Sequence, residues 1–353
     1  MNKIQYNNSL LNKLNLINST DGPFFCIEVS PPKEINKINN FISSINKLIN
    51  NTATNNSFLF LSIVAHAENN PTDLSLPNSS TSIASKILNE DILPKNSHLI
   101  LHITGKSFIN FPHSFVDIYF TKLKQLGINN YFVLSGDSPK RENYNYLNYN
   151  LEIFPKSPQL DSLHLIKRIK SNKLSTNNNN NLLTFAVAGY PECHPFAYNR
   201  NTDILFLKRK ICEGNANFVI CQFSFERGAE KFFQFVADCR QAGINVHFIP
   251  GILLFQSFSS LLRFSSLTKI KIPQEMFNLL SSHRYNDDLI KYYSLWLAYN
   301  ICQKLLNKSV LNNIRAIHLF NSNQWEMTRY LLYLLIRRNI YFLVLYLSNL
   351  DFY

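Results

Sequence analysis

Apolar residues recur along this chain in eight short runs rich in β-branched and aromatic side chains, and several runs close on a polar residue where a loop takes over. The runs at 24–30, 58–64, 98–104, 131–136, 183–189, 218–224, 247–252 and 314–320 read as strands, and a segment with helical periodicity follows each. That alternation implies βαβ units and a parallel sheet. Eight units in 353 residues predict an α/β protein with a single closed (β/α)8 barrel of the TIM type, not an open sheet. Chemistry in such barrels gathers at the C-terminal strand ends. The polar residues there become the candidates: Glu28, Ser62, His102, Thr104, Ser135 to Asp137, Gly189 to His194, Gln222, and Phe320 to Asn323.

Length alone would suggest two domains, but no shift in composition marks a boundary. Residues 21–337 are therefore assigned to one barrel. Residues 1–20 form an N-terminal extension whose leucines from Leu10 to Ile17 suit a weak amphipathic helix, and 338–353 form an apolar tail, either a packed extension or a subunit contact in a homo-oligomer. The six cysteines never form a C-x-x-C pair, and several lie inside predicted strands or helices, where free cysteine behaves as a small buried hydrophobe. A reduced, cytoplasmic setting is expected. No apolar core follows Met1, so no secretory signal is read. The apolar stretch 330–350 is cut by Arg337-Arg338-Asn339 into pieces shorter than the roughly 20 residues that span a bilayer, so no membrane partner is expected.

Thirty-five basic against 23 acidic residues give a net charge of +12, which favours anionic partners. The lysines are scattered among asparagines, and no basic cluster with interleaved aromatics marks a nucleic-acid groove. Nucleic acid is not expected as a partner. The asparagine tracts at 50–56 and 177–181 read as exposed loop insertions.

Among the strand ends, Glu28 closes an otherwise apolar run, where desolvation favours the neutral form that a general acid needs. A salt bridge closing the barrel mouth is the competing reading. Asp137 follows a glycine that lets a ligand approach the backbone, and it could face a developing cation or merely cap a helix. His102 and His194 lack the companions a metal site requires, so no metal is predicted. The densest signal is Ala188-Gly189-Tyr190-Pro191-Glu192-Cys193-His194-Pro195, followed by a helix carrying Lys208-Arg209-Lys210. Such a loop and basic triplet would take a flavin with its pyrophosphate, although a basic triplet is more often a solvated helix face.

These stretches also carry a resemblance. Phe25 to Pro32, Ile100 to Thr104, Lys124 to Ile128 with Leu134 to Pro139, Val187 to Pro195, Leu207 to Lys210 through Gln222 to Phe225, Ile249 to Ile252, and Ile272 to Glu275 occur in order across residues 20–337. Together they resemble the methylenetetrahydrofolate reductase family, flavoproteins on the (β/α)8 barrel. The resemblance implies reduction of 5,10-methylenetetrahydrofolate to 5-methyltetrahydrofolate by NAD(P)H through FAD, in a ping-pong cycle that feeds methyl groups to methionine synthesis. It makes Glu28 the general acid and Asp137 the carboxylate beside the flavin. Gln222 and Phe264 would meet the substrates. Ser62, His102, Gly136, Asp137, Ser162, Ala188, Tyr190, His194, Asp203, Arg209 and Lys210 fall on FAD-contacting positions. Departures occur at Ser135 and Gln324, where the family usually carries arginine, and at 65–70, where it is usually glycine-rich. A diverged barrel kept for binding or assembly is the rival from another functional class.

Overall fold

The computed structural model describes residues 10–16, 24–50, 57–65, 73, 75–108, 113–136, 161–171, 183–225, 227–307, 316–320 and 323–337. Eight parallel strands close into a barrel in chain order: β1 (Phe24–Val29), β2 (Phe58–Ile63), β3 (His98–Thr104), β4 (Asn130–Leu134), β5 (Thr184–Gly189), β6 (Phe218–Cys221), β7 (His247–Leu253) and β8 (Ala316–Phe320). The predicted (β/α)8 barrel is the observed one. β4 and β6 end well before their apolar runs do. β4 stops before Ser135 because Gly136 takes a left-handed φ of 84°, and β6 stops at Cys221, after which Gln222 accepts the N–H of its own neighbour Phe223.

The helices ring the sheet: α2 (Ile38–Ile49), α3 (Ser80–Asn89), α4 (His113–Gln125), α5 (Ser162–Lys170), α6 (Arg200–Cys212) and α7 (Gly228–Gln241) each follow one strand. Between β7 and β8 the described residues form three helices, α8 (Phe258–Thr268), α9 (Gln274–Ser282) and the 21-residue α10 (Asp287–Asn307), and α11 (Trp325–Arg337) follows β8. Those additional helices account for part of the length that would otherwise suggest a second domain.

Alternation along each strand sorts its side chains. One set packs under the helices, and the other fills the barrel with Cys26, Phe60, Ile100, Phe132, Ala186, Phe218, Ile220, Ile249 and Ala316. The floor is closed by α1 (Leu10–Leu16), whose Leu10 and Leu14 are fully buried in this inner cluster. Seven residues are too few for a helix to persist alone in water. Burial of the two leucines, roughly 1.5–3 kcal/mol each, offsets that. Lys13 adds a bond to the carbonyl of Asn96 at 2.5 Å, and Asn15 pairs with His247 at the foot of β7.

The β1–β2 ladder contains one slip. Phe25 lies opposite Phe58, but Cys26 lies opposite Phe60, so every later pair moves by one residue. An unslipped ladder would set Glu28 against Leu61; the slip sets it against Ser62. Two polar side chains thereby share the inner face at the mouth, because the bulge re-aims the side chains beyond it.

Candidate active site

Glu28, Ser62, His102 and His318 come from β1, β2, β3 and β8, neighbours around the closed barrel. Glu28 Oε2 lies 3.2 Å from His318 Nε2 and 3.5 Å from His102 Nε2, and the same His102 nitrogen is 2.7 Å from Ser62 Oγ. His318 and Ser62 are fully buried and His102 nearly so, whereas the Glu28 side chain keeps 19% of its exposure. A carboxyl group at the top of a buried polar chain, with its own end open to the mouth, is arranged to exchange a proton with a bound molecule. His318 Nδ1 is buried without a hydrogen-bond partner, so the ring's polar contact runs through Nε2 to Glu28. His318 was absent from the predicted site residues. Its signal was present, because alternation in Ala316-Ile317-His318-Leu319-Phe320 puts it on the same inner face as Ala316.

Across the mouth, the loop after β5 is built from local bonds. Cys193 adopts φ 74° and its N–H closes a turn onto Tyr190 O at 2.9 Å. The Tyr190 and His194 rings meet edge to face at 4.5 Å. Phe196 N–H donates to His194 Nδ1 at 3.2 Å, which assigns the imidazole proton to Nε2. Asp203, in the first turn of α6, accepts the His194 N–H at 3.0 Å. Burial pushes the His194 pKa down against the pull of Asp203, and pushes Asp203 up against its bond to His194 and the nearby cations.

Lys210 is half-buried, with its pKa lowered chiefly by desolvation and raised in part by Asp203 and by Asp161, the N-cap of α5. Ser162, buried in the first turn of α5, lies next to that cap. Lys210, Asp203 and the start of α5 are therefore electrostatic neighbours. Arg209 differs: it pairs with Glu213 at 2.7 Å on the exposed side of α6. Ala188 lines the barrel interior, Gln222 follows β6, and Phe264 of α8 packs edge-on against Phe225 at 6.2 Å. Gly136 must be glycine: besides its left-handed φ, a Cβ there would sit 2.7 Å from Thr104 Cβ. Asp137 lies outside the described residues, as do 66–70, 51–56 and 177–181 of the loop insertions and the tail 338–353.

Among the described residues no group of three or more His, Cys, Asp or Glu side chains could hold a metal ion, and no helix is long and apolar enough to cross a membrane.

The family model for methylenetetrahydrofolate reductase matches residues 13–334. The chain belongs to that family. A Caenorhabditis elegans probable methylenetetrahydrofolate reductase (NADPH) is 27% identical over 301 residues, 85% of this chain and 40% of the worm protein. An Arabidopsis thaliana methylenetetrahydrofolate reductase (NADH) is 26% identical over 328 residues, 89% of this chain and 48% of the plant protein. A 5,10-methylenetetrahydrofolate reductase of Buchnera aphidicola is 31% identical over 224 residues, 61% of this chain and 67% of its own length. This reductase-family chain thus spans less than half the length of the worm and plant relatives. Among solved structures, a Clostridium thermocellum protein described as binding two copies of 5-methyl-5,6,7,8-tetrahydrofolic acid superposes with a TM-score of 0.61 at 14% identity, covering 94% of this chain and all of that one. At that identity the likeness speaks for the fold.

Proposed function

We propose that this chain reduces 5,10-methylenetetrahydrofolate to 5-methyltetrahydrofolate, with FAD as its bound carrier and NADH or NADPH as the reductant, in a ping-pong cycle. The observation that carries the reading is Glu28, held at the barrel mouth between His318 and His102 with its own end accessible. The family membership supplies the substrate class.

The donor set of the mouth fits FAD. His194 offers an Nε2–H, Tyr190 an aromatic face, and Lys210 a cation near the start of α5 that suits a pyrophosphate. Ser62, His102, Gly136, Ala188 and Asp203 would complete the site, with Asp137 beside the reacting ring. Bound FAD would take a hydride from the nicotinamide and pass it to the folate.

The rest is work for the chain's own residues. Glu28 delivers a proton to the departing nitrogen of the folate's five-membered ring, and the opened ring becomes an iminium cation. Asp137 stabilises that cation electrostatically in a pocket of low dielectric. His318 and His102 hold the Glu28 carboxyl in place and keep water from its inner side. Gln222 and Phe264 meet the nicotinamide or the pterin in turn. Hydride addition to the iminium carbon yields the methyl group. Ser135, exposed where the family has arginine, and Gln324 are the positions at which this chain holds its ligands with less positive charge.

Titration with FAD tests the reading. The protein should be yellow as purified or become so on adding FAD, and NADH or NADPH should bleach it. A colourless protein that binds no flavin would leave the barrel as a non-catalytic member of its family.

A further inference from the structure

The loop after β5 carries Tyr190 and His194, and its turns are closed by local bonds. Arg200 ties that loop to α7. Arg200, the first residue of α6, donates through one terminal nitrogen to the carbonyls of Tyr190 at 3.2 Å and Pro191 at 2.6 Å. Its Nε and other terminal nitrogen reach Asp238 Oδ2 on α7 at 3.3 and 3.1 Å. The guanidinium plane lies over the ring of Phe235, also on α7, with 4.9 Å to the centroid.

Phe235 in turn rests against the end of β5. Gly189 is the residue that permits this, since a Cβ at that position would sit 2.9 Å from the ring. β5, Phe235 and Arg200 therefore form a stack, and the guanidinium spends its planar fork on two backbone carbonyls and a carboxylate at once. A lysine has the charge but not the fork or the face. A second tie runs the same way: buried Ser224, just past Gln222, bonds Glu192 of the loop.

We propose that Arg200, braced by Asp238 and Phe235, is a positioning residue for the cofactor. It sets the height of the Tyr190–His194 turn against the β6–α7 unit, so that the cofactor side and the Gln222 side of the mouth stay in register. The inference rests on the FAD-binding role proposed above for that turn. Arg200 touches neither substrate nor cofactor; it acts through two carbonyls.

The test compares FAD affinity of the whole chain by titration in wild type, Arg200→Ala and Arg200→Lys, together with thermal unfolding and amide exchange of the FAD-free proteins. Loss of positioning without loss of fold should raise the FAD Kd of Arg200→Ala by about 10- to 100-fold, as removing an outer-shell support does at metal sites. Exchange should quicken in 190–199 while β1 and β8 stay protected. Arg200→Lys should fall between the two, because it keeps the Asp238 pairing. A wild type that binds FAD and an Arg200→Ala protein that binds it equally well would overturn the inference alone. Affinity lost only in step with the melting temperature, without rescue by lysine, would overturn it as well. A wild type that binds no FAD would overturn the proposed function and the inference together.

Discussion

Glu28 is the residue on which the account turns, and its surroundings were only partly legible. Its place at the end of an apolar run showed in the sequence, as did Ser62 and His102. That all three share one face follows from the slip between Phe25 and Cys26, a matter of backbone pairing that no residue type announces. His318 was legible by alternation, on the same inner face as Ala316. Arg200 was illegible: a lone arginine after Asn199 shows its meaning only when Asp238 and two carbonyls come within reach. Ser135 supports a prediction at this scale. It is exposed, and its carbonyl accepts the Lys106 N–H at 3.1 Å, so a longer side chain at 135 disturbs no packing. Ser135→Arg should tighten FAD by about one to two decades, since a charge-assisted hydrogen bond contributes roughly 1.5–3 kcal/mol. Unchanged or weaker binding by titration would show that another group already fills that role.

At the scale of elements, strands declared themselves by composition and helices by period, while ends were set by details such as the φ of Gly136. α1 shows how an element of weak pattern gains its stability from context, since its leucines read as helix only faintly and fill the barrel floor. The same floor carries a titration. His98 opens β3 with its Nε2 buried and unpartnered, and burial with the nearby Lys13 charge lowers its pKa from 6.5 to about 4. A histidine whose pKa is depressed by folding contributes stability in full above 6.5 and loses it as pH falls toward 4. The slope is at most about 1.4 kcal/mol per pH unit, so acid costs up to about 3 kcal/mol through this group. Denaturant unfolding at pH 7.5 and pH 5 should show wild type losing more stability than His98→Gln. An equal loss in both proteins would remove His98 from the acid response.

For the molecule as a whole, eight strand–helix repeats specified the barrel, and part of the length that pointed to a second domain went into α8, α9 and α10. The barrel alone does not choose a chemistry, because this fold hosts many. The proposed chemistry rests on the polar chain from Ser62 through His102 to Glu28 and His318, set opposite the loop after β5. In the proposed cycle Glu28 donates a proton in only one of the two halves. Nicotinamide gives up hydride without an acid, whereas opening the folate ring requires one. Glu28→Gln keeps the size and hydrogen-bonding capacity of the side chain and removes its transferable proton. Stopped-flow mixing of that variant should show flavin reduction by NAD(P)H at nearly the wild-type rate and reoxidation by methylenetetrahydrofolate slowed by at least about 100-fold. Equal slowing of both half-reactions, or folate reduction at full speed, would contradict the assignment of Glu28 as the acid.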